Sequence, residues 1–113
     1  MPPIYIMRAN GQVEEILISG LPLAVTNEAV YEITEFKLHA GDTMLLMSDG
    51  LSERFNKKRE LLTFDRLAAE MTKIDTANLS VEQILERVVD VGHAWAAGQS
   101  IYDDITLVIM RVK

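Results

Sequence analysis

The chain has 113 residues, of which 49% are apolar and 25% are charged, so it has room for one domain with one hydrophobic core and is not disordered by composition. It contains no cysteine, which excludes disulfides, thiolate metal sites and cysteine nucleophiles and fits a reducing cytosol. The net charge of −6 disfavours nucleic acid as a partner. No apolar stretch of membrane-spanning length and no export signal is visible, so we expect a cytoplasmic protein without a membrane partner.

The chain opens with a predicted β-hairpin. Ile4–Met7 is apolar and β-prone, Asn10-Gly11 is the preferred pair for a two-residue type I′ turn, and residues 13–18 lead back. A third strand is predicted at residues 31–38. Its apolar residues change face near Thr34-Glu35, which indicates a bulge or a bend there.

A continuous apolar run, Thr43–Met47, follows next and predicts a strand that is buried on both faces. This strand ends at Ser48-Asp49-Gly50. The polar residues 52–60 predict a surface loop, and the basic cluster at residues 57–59 within it is interpreted as a solvated turn.

Two amphipathic helices and a final strand are predicted in the rest of the chain. Thr63 is the predicted N-cap of the first helix. Ser80 and Gln83 form a capping-box pattern at the start of the second, and Gly98 marks its end. The last strand is predicted at residues 105–112. The apolar face of the first helix consists of Phe64, Leu67, Ala68 and Met71.

This order of elements predicts an α+β fold, in which two helices pack on one face of a mostly antiparallel sheet. Helices on one face alone would leave the other face of the sheet open. The strand that is apolar on both sides therefore indicates that something else covers that face.

Two carboxylate sites lie at predicted strand ends. Asp49 follows the buried strand and precedes Gly50, and Asp103-Asp104 precedes the last strand. Oxygen ligands at the ends of neighbouring central strands suit a hard cation such as Mg²⁺ or Mn²⁺, and glycine lets backbone or water approach closely. Ordinary turns explain the same residues, because Asp-Gly is a common turn dipeptide and acidic residues often precede strands. From these residues alone, both interpretations stay open.

Three segments of the sequence together resemble one family. Residues 38–53, LHAGDTMLLMSDGLSE, resemble the signature segment of the metal-dependent protein phosphatases (PPM), in the bacterial branch typified by stage II sporulation protein E. The tail DDITLVIMRVK resembles the end of the same domain. The opening hairpin and GLPLAV resemble the segment that precedes the signature. The resemblance spans essentially the whole chain, in the order and spacing of the family.

The resemblance implies that residues 1–113 are the C-terminal portion of such a domain, half of an α/β/β/α sandwich with a binuclear Mg²⁺/Mn²⁺ centre at one end. It assigns Asp49 and Asp103 as metal ligands. Asp104 is a secondary candidate, and Gly50 would matter for the backbone beside the site. The implied reaction is direct hydrolysis of phosphoserine or phosphothreonine in a phosphoprotein, such as an anti-sigma-factor antagonist in bacterial partner-switching signalling.

The sequence departs from the family pattern in ways that concern the completeness of the site. The family's first half carries an Asp-Gly motif whose aspartate bridges both metals, followed by Gly-His-Gly, but Asp49-Gly50 is the only Asp-Gly here. The N-terminal metal-binding half is therefore expected to be absent, and the chain to be inactive alone with at most a partial metal site. Ala24 and Thr63 stand where the family commonly has glycine, and we expect both differences to concern loop geometry.

Two alternatives stand beside the phosphatase hypothesis. Without the bridging aspartate, the chain would be a catalytically dead interaction or dimerisation module in which Asp49 and Asp103 are remnants. A small α+β domain with an accidental resemblance is the other alternative. Half a sandwich would expose the sheet face that the missing half covers, so we also expect a homo-oligomer that buries this face.

Overall fold

The protein folds as a four-stranded antiparallel sheet with two helices on one face, in a computed structural model that describes residues 2–100 and 103–113. The strands lie in the order β2-β1-β3-β4. Their bounds are β1 Ile4–Met7, β2 Val13–Ile16, β3 Thr43–Met47 and β4 Leu107–Arg111. The helices α1 (Phe64–Met71) and α2 (Val81–Ala96) lie between β3 and β4 in the chain, separated by a short 3₁₀ turn at Thr76–Asn78. The predicted α+β class is confirmed.

The hydrophobic core lies between the sheet and the two helices. Residues at alternate positions of β1 and β3 supply its sheet side, as expected for strands whose side chains alternate between faces. The sheet residues are Tyr5, Met7, Leu45 and Met47. They form one cluster with Leu51, Leu62, Leu67, Met71, Ile84 and Val88. The apolar face predicted for the first helix is therefore the face that joins the core.

The opposite face of the sheet is only partly covered by the residues that the structure describes. The prediction that β3 is buried on both faces is wrong for this face, since Met44 and Leu46 are only half-buried. Val108 and Met110, which pair with Leu46 and Met44, are 47% and 44% exposed. These four residues form what we call the outer apolar face. Its exposure follows from helices that pack on one side of the sheet only.

The β1–β2 hairpin is confirmed, but its turn differs from the predicted type I′ turn. The amide of Gly11 donates to the carbonyl of Arg8 at 3.0 Å, and the amide of Arg8 donates to the carbonyl of Gln12 at 2.7 Å. Gly11 has a φ of 92°, whereas Asn10 is not among the residues with positive φ. A type I′ turn requires positive φ at both central residues, so this pattern is instead that of a type I turn followed by a glycine bulge.

The predicted strand at residues 31–38 is wrong. Residues 17–42, all of which the structure describes, contain no strand. Tyr31 and Ile33 are 47% and 89% exposed. Strand propensity reflects packing on a half-buried, paired surface, and this segment has no pairing strand among the described residues.

Both predicted helix starts are confirmed. The Thr63 hydroxyl accepts a hydrogen bond from the Arg66 amide at 3.4 Å. Ser80 and Gln83 form the reciprocal capping box, with hydrogen bonds of 3.2 and 2.9 Å. The helix α2 ends at its C-cap Ala97, which has a φ of 48°, one residue before the predicted stop at Gly98, which has a φ of 88°. No helix in the described part of the chain is long and apolar enough to cross a bilayer.

Ala24 and Thr63, which stand where the family commonly has glycine, both have the positive φ that glycine adopts most easily. Ala24 has a φ of 67°, and Thr63 has a φ of 66° with a ψ of 156°. A side chain in this region is strained, most of all a β-branched one. The expectation that these two positions concern loop geometry is confirmed.

We expect Thr63→Gly to stabilise the protein by about 1 kcal/mol, because glycine adopts a positive φ without strain. This gain outweighs the loss of the N-cap hydrogen bond, which costs about a few tenths of a kcal/mol, and the larger conformational entropy of glycine in the unfolded chain. The measurement is urea unfolding. The matched control is Thr72→Gly at the end of α1, where φ is −62° and glycine should be destabilising. An equal loss of stability in both variants would show that Thr63 is not strained.

A buried carboxylate, Asp42, connects the start of β3 to the β1–β2 turn. Its Oδ2 accepts hydrogen bonds from the His39 amide at 2.8 Å and from Arg8 Nη1 at 2.7 Å, and its Oδ1 accepts one from the Ala9 amide at 2.9 Å. The His39 amide and, after it, the Arg8 and Ala9 hydrogen bonds lower the pKa of Asp42 to about 2, although burial opposes this. Asp42 is therefore ionised at neutral pH and connects the start of β3 to the β1–β2 turn at one end of the sheet.

The prediction that residues 52–60 form a surface loop is wrong at two positions. Ser52 and Arg54 are only 3% and 7% exposed. The Ser52 hydroxyl donates to the carbonyl of Asp49 at 3.0 Å, and Arg54 Nη1 donates to His93 Nδ1 at 3.0 Å. These internal partners satisfy the Ser52 hydroxyl and Nη1 of Arg54, whereas Nε of Arg54 is buried without a hydrogen-bond partner among the described residues.

Candidate metal centre

Three carboxylates meet at one end of the sheet, where the chain leaves β3 and where it enters β4. They belong to Asp49, Glu53 and Asp103, and all three residues are exposed. One oxygen from each lies within 4.8 Å of the others. We call these residues the three-carboxylate group. Two of its members are those that the sequence predicts as metal ligands.

The pairing of β3 with β4 brings the two distant segments together. Met47 pairs with Leu107, and the ladder continues one step further, because the Ser48 amide donates to the carbonyl of Thr106 at 2.9 Å. The Ser48 hydroxyl accepts from the Thr106 amide at 2.9 Å and donates to the carbonyl of Asp104 at 3.3 Å. These contacts place the residues after β3 beside those before β4.

Gly50 lies against the backbone of the opposing segment. A Cβ atom at this position would stand 2.2 Å from the carbonyl oxygen of Asp104 and 2.9 Å from its carbonyl carbon. No side chain fits at such distances, and the obstacle is backbone that cannot rotate away. Gly50 therefore has a steric reason to be glycine.

Glu53 is the member that the sequence analysis missed, since it lies in the polar stretch 52–60 that predicts only a surface loop. Its amide donates to the carbonyl of Asp49 at 3.0 Å, as in one turn of a helix. Residues four apart in such a turn lie on the same side, so both carboxylates face Asp103. The four-residue spacing of Asp49 and Glu53 was the available signal.

Asp104 has a different position from the other predicted residues. Its carboxylate is not part of the three-carboxylate group. Its backbone carbonyl contacts Gly50 and Ser48, and its amide donates to Asp103 Oδ1 at 2.8 Å. Asp104 thus orients its neighbour, and of the three carboxylates predicted from the sequence the structure brings together those of Asp49 and Asp103.

The donor set of the three-carboxylate group fits a hard divalent cation. Mg²⁺ and Mn²⁺ prefer carboxylate oxygens, and three close negative charges repel one another when no cation lies between them. Exposure leaves room for water or substrate as additional ligands. A cleft of about 240 Å³ adjoins the group. Its lining includes Gly50, Glu53, Arg54, Phe55, Ser100 and Asp103.

Comparison with known proteins gives a family and a sequence relative. The family model described as stage II sporulation protein E (SpoIIE) matches residues 1–113. Stage II sporulation protein E of Bacillus subtilis (strain 168) is 28% identical over 110 residues. That match covers 97% of this chain and 13% of the relative, so the chain spans a small part of the relative's length.

Solved structures show the same fold. The PP2C phosphatase domain of the cell fate determinant SpoIIE from Bacillus subtilis, solved with a fragment of its regulatory domain, matches with a TM-score of 0.72 at 29% identity, over 97% of this chain and 31% of that one. The phosphatase domain of the same protein, presoaked with Mn, matches with a TM-score of 0.70 at 25% identity, over 97% of this chain and 46% of that one. The chain therefore spans less than half of the solved chains it matches.

Proposed function

Since the chain belongs to the stage II sporulation protein E (SpoIIE) family, we propose that it is part of a Mn²⁺- or Mg²⁺-dependent phosphatase domain that hydrolyses phosphoserine or phosphothreonine in a protein. The observation that carries the proposal is the three-carboxylate group at one end of a sheet with the PP2C phosphatase fold. The Mn-presoaked phosphatase domain with this fold supports the choice of metal.

Asp49, Glu53 and Asp103 would hold the cation through one carboxylate oxygen each. A cation there supplies Lewis-acid activation of water and neutralises charge on the phosphoryl oxygens. Gly50 holds the two backbone segments at the spacing that brings the carboxylates together. The chain has no cysteine, so none of its residues offers a thiolate nucleophile.

The 113 residues would supply only part of the active site. They match 31% and 46% of two solved phosphatase chains, and the rest of such a domain would supply the further ligands of a two-metal centre. The segment by itself is then inactive. The proposed setting is cytoplasmic bacterial signalling, with a phosphorylated anti-sigma-factor antagonist or a similar phosphoprotein as substrate.

The test is phosphate release from a phosphoserine protein by the full-length protein in the presence of Mn²⁺. We expect Asp103→Asn to lower kcat/KM by at least about 100-fold, since it removes a metal ligand. Asp90→Asn on the exposed side of α2 is the control and should keep full activity. Mn²⁺ binding without hydrolysis of any phosphoprotein would contradict the proposed phosphatase activity and favour the alternative of a catalytically dead interaction module.

The same proposal implies that the remainder of the phosphatase domain packs on the outer apolar face and covers it. The 113-residue segment alone would then bury this face against a second copy. Sedimentation equilibrium should show self-association that Met110→Lys, in the centre of the face, abolishes. Val25→Lys, at an exposed position elsewhere, is the control. A folded monomer of the unaltered segment at micromolar concentration would contradict this part of the proposal.

A further inference from the structure

A short basic hairpin, residues 55–61, lies beside the three-carboxylate group. Phe55 and Leu61 pair as an antiparallel bridge. The amide of Asn56 donates to the carbonyl of Glu60 at 3.0 Å, which closes the turn. The tip between them carries three consecutive cations, Lys57, Lys58 and Arg59. We call residues 55–61 the basic hairpin.

The backbone of the basic hairpin is held in one conformation by Asn56. The side-chain Oδ1 of Asn56 accepts from the amides of Lys58 and Glu60, both at 2.9 Å. Its Nδ2 donates to the Glu60 carboxylate at 3.2 Å, and that carboxylate also lies 3.9 Å from Arg66. The one acidic side chain of the hairpin is therefore engaged elsewhere, and it does not neutralise the tip.

The three cations at the tip are exposed and unpaired. None of them forms an ion pair with any residue in the ranges 2–100 and 103–113. They are the single run of three basic residues in a chain whose net charge is −6. The acidic remainder repels an extended polyanion such as nucleic acid, so the local positive charge fits a short acidic segment of a protein.

Phe55 lies between the tip and the carboxylates. Phe55 lines the cleft of about 240 Å³ that Glu53 and Asp103 also line. It also lines a second cleft of about 390 Å³, together with Lys57 and Arg59. The two clefts share Phe55. A polypeptide with its phosphoryl group at the carboxylates would pass this ring on its way to Lys57 and Arg59.

We propose that the basic hairpin binds acidic residues that flank the phosphorylated residue of the substrate, and so contributes to substrate specificity. This inference rests on the proposed phosphatase function. Exposed charges act over a Debye length of about 8 Å at physiological salt, which suffices for residues near the reacting one. Such complementarity raises the association rate and discriminates against neutral sequences.

The test compares two phosphoserine peptides, one with glutamates around the phosphoserine and one with glutamines in their place. We expect the full-length protein to prefer the acidic peptide by about tenfold in kcat/KM, and more strongly at low salt. The variant Lys57→Gln/Lys58→Gln/Arg59→Gln should reduce this preference to near unity. A matched control with the same charge change, Lys37→Gln/Arg87→Gln/Lys113→Gln, should keep it.

An unchanged preference in the hairpin variant, or an equal loss in the control, would overturn the inference. If neither peptide is hydrolysed by the unaltered protein, the proposed phosphatase function fails. Fluorescence anisotropy with labelled forms of the same peptides then tests separately whether the basic hairpin binds acidic residues. Tighter binding of the acidic peptide that the hairpin variant loses supports a docking surface, and equal affinities contradict it.

Discussion

Gly50→Ala is expected to destabilise the protein by about 3 kcal/mol and to disrupt the three-carboxylate group. The added methyl group would stand 2.2 Å from the carbonyl oxygen of Asp104, so the segment before β4 must move away from the end of β3. Asp103 lies in that segment, and its carboxylate would leave the position near Asp49. Urea unfolding gives the change in stability, and Mn²⁺ affinity reports the geometry of the group.

Gly20→Ala is the matched control for this substitution. A Cβ atom at Gly20 meets only Tyr31 Cδ1, at 4.0 Å, which is an ordinary contact. Alanine there should leave the free energy of unfolding unchanged or raise it by about 0.5 kcal/mol, because alanine lowers the conformational entropy of the unfolded chain. If Gly50→Ala proved as stable as Gly20→Ala, the close approach of the two backbones at the site would be wrong.

Leu51→Ala should lower the free energy of unfolding by about 3 kcal/mol. Leu51 is fully buried, and its Cδ1 lies 2.3 Å from where a Cβ of Gly92 would stand, so it packs directly on the backbone of α2. Truncation leaves a cavity between the helix layer and the turn that carries Asp49 and Glu53. We therefore expect weaker Mn²⁺ binding together with the loss of stability, both measurable on one preparation.

Leu23→Ala provides the comparison, because Leu23 is 82% exposed. Its effect on unfolding should stay within about 0.5 kcal/mol. A similar small effect at Leu51 would mean that this turn does not depend on packing against α2.

Elements with strong local signals were predictable from the sequence. The start of α2 follows from Ser80 and Gln83, whose reciprocal hydrogen bonds need no tertiary contact. The strand Thr43–Met47 follows from its apolar run. In both cases the information lies within a few residues of the element.

The wrong predictions concern features that depend on residues distant in sequence. The segment 31–38 has the composition of a strand but no partner strand among the described residues. Arg54 is buried because His93, on another element, accepts its hydrogen bond. Such partners are set by the tertiary structure, and a local pattern does not contain them.

The candidate site was predictable in part. Asp49 and Asp103 are far apart in the chain, and their positions at predicted strand ends left a metal site and ordinary turns equally open, so that the family resemblance favoured the metal site and the pairing of β3 with β4 then brought the two residues together. Glu53 required the geometry of the turn that starts at Asp49. The backbone role of Asp104 depends on its contact with Gly50, which no sequence pattern expresses.

The most direct test of the account is a calorimetric titration of the full-length protein with Mn²⁺. The variants Asp49→Asn and Asp103→Asn and the exposed control Asp90→Asn are titrated in the same way. If the two strand ends form one metal site, each of the first two substitutions weakens Mn²⁺ binding by at least about 100-fold, and the control leaves it unchanged. Glu53→Gln should weaken binding as well, because its carboxylate completes the group. An unchanged Mn²⁺ affinity in both Asp49→Asn and Asp103→Asn, or no binding by the unaltered full-length protein at millimolar Mn²⁺, would contradict the account.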